Sequence, residues 1–203
     1  MEQRIFGIES EFGLSYVPQG LGRLSVEETA AALFKPVLDE WRSTNVFLPN
    51  GGRLYLDVGS HPEYATAECA TIDELLAQER AGELLFAQLA QQAQEQLRAH
   101  HDRPLNGTIY LFKNNVDSAG NSYGSHENYL ISRDIPFEDV ASTLLTFFAT
   151  RIIYTGAGRV GIGVNGEIPG FQISSRADFF ERPVGLETTI RRPIVNTRDE
   201  PHA

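Results

Sequence analysis

The stretch Arg53-Leu54-Tyr55-Leu56-Asp57-Val58 constrains the fold more than any other, because polar and apolar residues alternate strictly behind an Asn50-Gly51-Gly52 turn. Successive strand side chains point to opposite faces, so Arg53, Tyr55 and Asp57 share one side and Leu54, Leu56 and Val58 the other. Only a sheet buried on one face and polar on the other satisfies that pattern. The Asn-Gly turn joins this strand to Asn45–Pro49 as a hairpin. Arg4 to Leu14 alternates in the same way, with Ile5, Gly7, Glu9, Glu11 and Gly13 on one side and Phe6, Ile8 and Phe12 on the other. Both glutamates therefore face the same direction. Tyr64 to Cys69 predicts a further strand.

The apolar face of such a sheet needs helices to cover it. Ser25 with Glu28, and Thr71 with Glu74, are capping-box pairs that open two of them. The first runs to about Arg42 and should kink or divide at Pro36. The second is rich in Leu, Ala, Gln and Glu, with Gly82 as its weak point. Asn106-Gly107 leads into a strand from Thr108 to Phe112, with His126 to Ser132 expected beside it across the polar turn Asp117 to Ser125. Asp134 and Pro136 start a third helix that stops at Gly156-Ala157-Gly158, and Phe171 to Ser175 predicts a last strand. This order of elements predicts an α+β fold with a mainly antiparallel sheet flanked by helices.

Composition narrows the function. The 203 residues carry 17 Lys and Arg against 27 Asp and Glu, a formal charge of −10, which opposes nucleic-acid binding. No apolar run approaches the roughly 20 residues that span a bilayer, so no membrane segment is expected. Cys69 is the single cysteine, which rules out an internal disulfide and fits a cytoplasmic, reducing compartment.

The row Arg53, Tyr55, Asp57 is a site candidate because Glu9 and Glu11 lie on another strand and Glu63 just beyond the row. Carboxylates gathered on one sheet face repel unless a cation or an arginine neutralises them. Oxygen ligands without thiols suit Mg²⁺, which commonly bridges carboxylates and nucleotide phosphates. The sequence has no Walker A motif, no strand followed by Gly-x-Gly-x-x-Gly and no Gly-x-Ser-x-Gly elbow. Gly156-Ala157-Gly158 follows a helix and reads as its stop. Ser122 and Ser125 read as turn residues, Cys69 as a buried small apolar group and His100-His101 as a helix end.

Five segments resemble the Pup-protein ligase family: Gly7-Ile8-Glu9-Ser10-Glu11-Phe12-Gly13, Arg53 to Cys69 (RLYLDVGSHPEYATAEC), Tyr110 to Asp117 (YLFKNNVD), Asn121 to Tyr129 (NSYGSHENY) and Arg192 to Ala203 (RPIVNTRDEPHA). The resemblance implies a fold similar to glutamine synthetase and the carboxylate-amine ligases, with a curved antiparallel sheet forming an ATP cradle. It implies an enzyme in which Mg-ATP phosphorylates the C-terminal glutamate side chain of Pup, the prokaryotic ubiquitin-like protein. A lysine of a target protein then attacks to give an isopeptide bond, marking the target for proteasomal degradation. Carried over by position, Glu9, Tyr55 and Glu63 match the family's magnesium site, Arg53 and Thr66 its ATP contacts, and Asp57 its catalytic base. Glu11, His126, Glu127 and Arg198 lie in matching motifs with secondary weight, Arg198 contacting phosphate or pairing with Asp199 or Glu200. The chain departs from the family at Ser125, where Cys is usual.

The resemblance also implies that residues 1–203 are the N-terminal part of a longer catalytic domain. The expected partners are Pup, lysine-bearing target proteins and the missing C-terminal part of the ligase; a sheet cut at residue 203 is expected to self-associate or to require that part. Two alternatives stay open here. One is the related depupylase or deamidase, which usually has a long insertion after the first glutamate motif and a different sequence beside its Asp. The other is a non-catalytic fragment that holds nucleotide or Pup.

Overall fold

The computed structural model describes residues 4–57, 59–101, 104–113, 116, 120, 122–161, 170–187 and 191–198. They group into two compact units, one built from residues 1–114 with 123–130, the other from 115–122 with 131–202.

The first unit contains β1 (Phe6–Glu11), β2 (Gly13–Pro18), α1 (Val26–Trp41), β3 (Asn45–Phe47), β4 (Arg53–Asp57), β5 (His61–Ala65), α2 (Ile72–Ala99), β6 (Gly107–Phe112) and β7 (Ser125–Tyr129). A five-stranded sheet has the order β3-β4-β5-β1-β7, and β2 pairs with β6. Every pairing in this unit is antiparallel. The hairpin at Asn50-Gly51-Gly52 forms as expected, with Gly51 at φ 82° and Asn50 Oδ1 accepting from the Gly52 amide at 3.0 Å.

Both capping boxes are present, on Ser25 with Glu28 and on Thr71 with Glu74. The helix α1 is not divided at Pro36, which excludes one of the two outcomes, kink or division, expected there. Its buried stripe of Ala30, Leu33, Phe34 and Val37 spans the proline on both sides, and this burial outweighs the missing hydrogen bond. The helix α2 is continuous over 28 residues. Gly82, expected to be weak, is where the Tyr64 ring lies against the helix, and any Cβ there would collide with that ring. The buried side chains of Phe12, Phe34, Phe86, Leu33, Leu54 and Tyr64 form the core between the sheet and the two helices, with the Phe12 and Phe86 rings 4.8 Å apart.

Two strand expectations are corrected. Arg4 to Leu14 is not one strand: the chain leaves the large sheet at Phe12, whose side chain enters the core, and continues as β2. The partner of β6 is β2 and that of β7 is β1, so the two are not neighbours. The reason is burial: Ile109 of β6 pairs with Tyr16 of β2 and both face the core, whereas β7 is mostly exposed. Tyr64 to Cys69 is strand only through Ala65, followed by an isolated bridge from Cys69 to Phe6. Val58, residues 117–119 and residue 121, each assigned to a strand or turn above, lie outside the described residues.

The second unit contains α3 (Phe137–Thr155), β8 (Arg159–Gly161), β9 (Gly170–Gln172), a short 3₁₀ turn (Ala177–Phe179), β10 (Arg182–Gly185) and β11 (Pro193–Asn196). The third helix ends at Thr155 with Gly156 as its cap, as the Gly-Ala-Gly stop predicts. The expected last strand is β9, antiparallel to β8, and β10 with β11 adds one parallel pair. Among the described residues no helix is long and apolar enough to cross a membrane.

Candidate active site

Strand register builds the site. Tyr55 lies opposite Glu63, Glu63 opposite Glu11, and Asp57 opposite His61. Arg53 and Glu9 both lie opposite Ala65, and Glu9 lies opposite His126. Directly opposed residues share a face, so the polar row of β4, both glutamates of β1, Glu63 of β5 and His126 of β7 converge on one surface. Two groups of possible ligand atoms lie within 4.8 Å of one another: Glu9, Glu63 and His126, and Glu11, Asp57 and Glu63. Glu63 belongs to both. It is only 2% exposed, as is Glu9.

Each carboxylate has its own support. The two oxygens of Glu9 are taken by β7: Asn128 Nδ2 donates to Oε1 at 2.6 Å, and His126 Nδ1 lies 2.8 Å from Oε2. Glu11 Oε2 accepts from the Gly124 amide at 2.6 Å and lies 3.2 Å from His61 Nδ1. The His61 ring stands edge-on against Tyr123, with centroids 4.9 Å apart. Gly124 lies so close to the Glu11 carboxylate that a Cβ there would force that carboxylate to move. Glu63 is hydrogen-bonded by the Tyr55 hydroxyl.

Burial and neighbouring negative charge set the protonation states. Burial, with the charges of Glu11, Glu9 and Asp57, pushes the Glu63 carboxyl up to about 8, although the Tyr55 hydrogen bond opposes the shift. Burial and the charges of Glu63 and Glu9 also push the Tyr55 phenol far above its ordinary range, so Tyr55 is a neutral donor to Glu63. The hydrogen bond to Glu9 raises His126, which favours the imidazolium. Burial is the larger cause of the Glu63 shift, and the neighbouring carboxylates add to it. The donor set, carboxylate oxygens gathered with one imidazole, fits a hard divalent cation.

Of the six residues singled out by position, the structure brings Glu9, Tyr55, Asp57 and Glu63 into one cluster. Arg53 lies at its side on β4, its Nε donating to Asn45 Oδ1 at 2.8 Å and its guanidinium 4.6 Å from the Tyr55 ring centroid. Thr66 braces the start of β1: its hydroxyl accepts from the Ile8 amide at 3.0 Å and lies beside Gly7. Glu11 and His126 are full members of the cluster. Glu127 accepts from the Tyr129 hydroxyl at 2.6 Å; with Ser125 it alternates with His126 on β7 and so lies on the opposite face. Arg198 belongs to the second unit, its amide donating to Asn196 Oδ1 at 2.7 Å; Asp199 and Glu200 lie outside the described residues.

Sequence reading assigned no role to Asn128, His61 or the Gly124 amide. The signal for Asn128 was present in the period-two spacing of His126 and Asn128, but their target emerges only once β7 pairs with β1. Cys69 is buried, and burial raises its thiol, in keeping with a structural part.

Comparison with known proteins places this geometry in context. A family model described as Pup-ligase protein matches residues 4–203. The chain is 66% identical over 215 residues to a Pup–protein ligase of Rothia mucilaginosa and 55% identical over 203 residues to one of Arthrobacter sp. strain FB24. Each alignment covers all of this chain and 44% of the relative, so the chain spans less than half the length of these proteins. Among solved structures, the Pup ligase PafA in complex with Pup superposes with a TM-score of 0.86 at 45% identity, over 99% of this chain and 39% of that one. A PafA structure in complex with ADP gives 0.67 at 43% identity, over 92% and 40%.

Proposed function

This chain belongs to the Pup-ligase family, and on that premise we propose that it supplies the carboxylate-bearing face of an ATP-dependent Pup–protein ligase. The observation that carries the reading is the pair of carboxylate groups sharing Glu63 on one sheet face. The longer relatives are ligases by name, and the solved relatives are in complex with Pup in one case and with ADP in the other.

The substrates are ATP, Pup and a lysine-bearing protein. The γ-phosphoryl group passes to the side-chain carboxylate of Pup's C-terminal glutamate, giving an acyl phosphate and ADP. A carboxylate is a poor electrophile until one of its oxygens becomes a phosphate leaving group. Asp57 takes a proton from the incoming lysine ammonium, the neutral amine attacks the acyl carbon, and phosphate leaves as the isopeptide bond forms. Glu9 and Glu63 would hold Mg²⁺, with the Tyr55 hydroxyl hydrogen-bonded to the shared Glu63, and the ion would offset the negative charge of the triphosphate. Arg53, with a planar fork of donors, contacts ATP, and Thr66 does so from the end of β5. The reaction belongs to the cytoplasm, in keeping with a buried, unpaired Cys69.

The test is conjugation. Pup ending in glutamate, a lysine-bearing protein and Mg-ATP are incubated with this chain, alone or together with the C-terminal part of the Rothia mucilaginosa relative. The expected result is a target heavier by the mass of Pup in the complemented reaction. Absence of conjugate there, with the relative itself active under the same conditions, would overturn the reading.

A further inference from the structure

We infer that Asn128 is a positioning residue of the cation site, the group that holds the Glu9 carboxylate in its coordinating orientation when His126 turns to the ion. The inference rests on the reading of Glu9 as a cation ligand.

Glu9 is buried, and its two oxygens are held by two side chains of one strand, two residues apart. A carboxylate accepts about four hydrogen bonds or ligand contacts in its plane. With Oε1 and Oε2 each engaged from β7, the carboxylate plane is fixed with ligand atoms of Glu9, Glu63 and His126 within 4.8 Å of one another. The two holding groups differ in kind. An imidazole nitrogen is itself a ligand atom, and His126 is part of the same cluster, so binding an ion competes with its hold on Glu9. The Asn128 Nδ2 has no lone pair to give to a cation, and at 2.6 Å from a carboxylate oxygen the amide must present its NH₂ end. It keeps its bond whether or not His126 keeps its own.

The placement also isolates the effect. Asn128 stands exposed near the end of an edge strand, so trimming it removes no core packing. Hydrogen-bond partners behind metal ligands typically change metal affinity by about 10-fold to 100-fold when removed.

The experiment titrates Mn²⁺ into this chain and follows free ion by electron paramagnetic resonance, with melting measured in parallel in EDTA. Expected is a dissociation constant for Asn128→Ala raised at least about tenfold, recovery of much of that loss in Asn128→Gln, which keeps an amide donor, and no change in Tyr129→Phe on the opposite face of β7. Melting in EDTA stays the same in all variants. Unchanged Mn²⁺ affinity in Asn128→Ala, beside weakened binding in Glu9→Gln, would overturn the positioning role alone. Unchanged affinity in Glu9→Gln itself would overturn the cation reading together with the inference. A loss in Asn128→Ala matched by a fall in melting temperature and not recovered by Gln would make the residue structural, and would also overturn it.

Discussion

The two faces of the β4–β5 hairpin are made from the same ten residues and do opposite things. On one face, Leu54, Pro62 and Tyr64 are fully buried, together with Phe34 of α1 and Phe86 of α2. Polar groups on that side are matched locally: the Tyr64 hydroxyl donates to Gln78 at 2.9 Å and accepts from Asn50 at 3.0 Å, and Ser10 bonds Glu79, which is itself paired with Lys113. On the other face, Glu63 is equally buried, yet Glu9, Glu11 and Asp57 surround it with further negative charge. One face matches its polar groups within the chain; the other gathers carboxylates around a buried Glu63. Alternation lets a single strand serve both, because a residue's neighbour in sequence is never its neighbour on the face.

Four substitutions break or sharpen this contrast. Asp57→Ala, on the charged face, should lower ligation by about 10³-fold, in the range of a lost general base, while nucleotide affinity changes far less; equal losses in both would assign Asp57 to binding instead. Leu54→Ala, on the buried face of the same strand, should cost about 2–5 kcal/mol in urea denaturation and leave Mn²⁺ affinity of the folded protein unchanged.

Glu63→Gln should stabilise the protein in EDTA at neutral pH, by on the order of 2 kcal/mol, while abolishing ligation. The sign follows from the raised carboxyl. Below the ordinary value of 4.5 both states keep the proton and the burial of Glu63 carries no charge penalty. Between there and about 8 the unfolded chain ionises first, so the native protein loses stability as pH rises. The gain from Gln should therefore grow across that window, and a gain independent of pH would break the comparison. Gly82→Ala is the smallest expected change. The Cβ must displace the Tyr64 ring at a cost of about 2 kcal/mol, offset by about 1 kcal/mol of helix propensity, for a net loss of about 1 kcal/mol.

Much of the site was readable in the order of residues. The row Arg53, Tyr55, Asp57 and the common direction of Glu9 and Glu11 follow from strand alternation and hold in the structure. Both capping boxes set their helix starts through contacts three residues apart, which is why they could be read locally. The errors share one cause: each concerned contacts between segments distant in the chain. The break at Phe12 and the exchange of partners between β6 and β7 were decided by what each segment buries. Thr66, matched by motif to an ATP contact, has its hydroxyl on the Ile8 amide, 58 residues away in sequence.

The sequence by itself determined which side chains share a strand face, where helices begin and which family the motifs resemble, because these depend on residues a few positions apart. Only the tertiary structure decided that β1 lies between β5 and β7. That placement brings Glu63 from one side and His126 with Asn128 from the other to Glu9, more than 50 residues away from each. The physical reason is that strand order is chosen by burying Leu54, Tyr64 and Phe12 against the helices, and the carboxylates on the opposite face are carried into register by that choice.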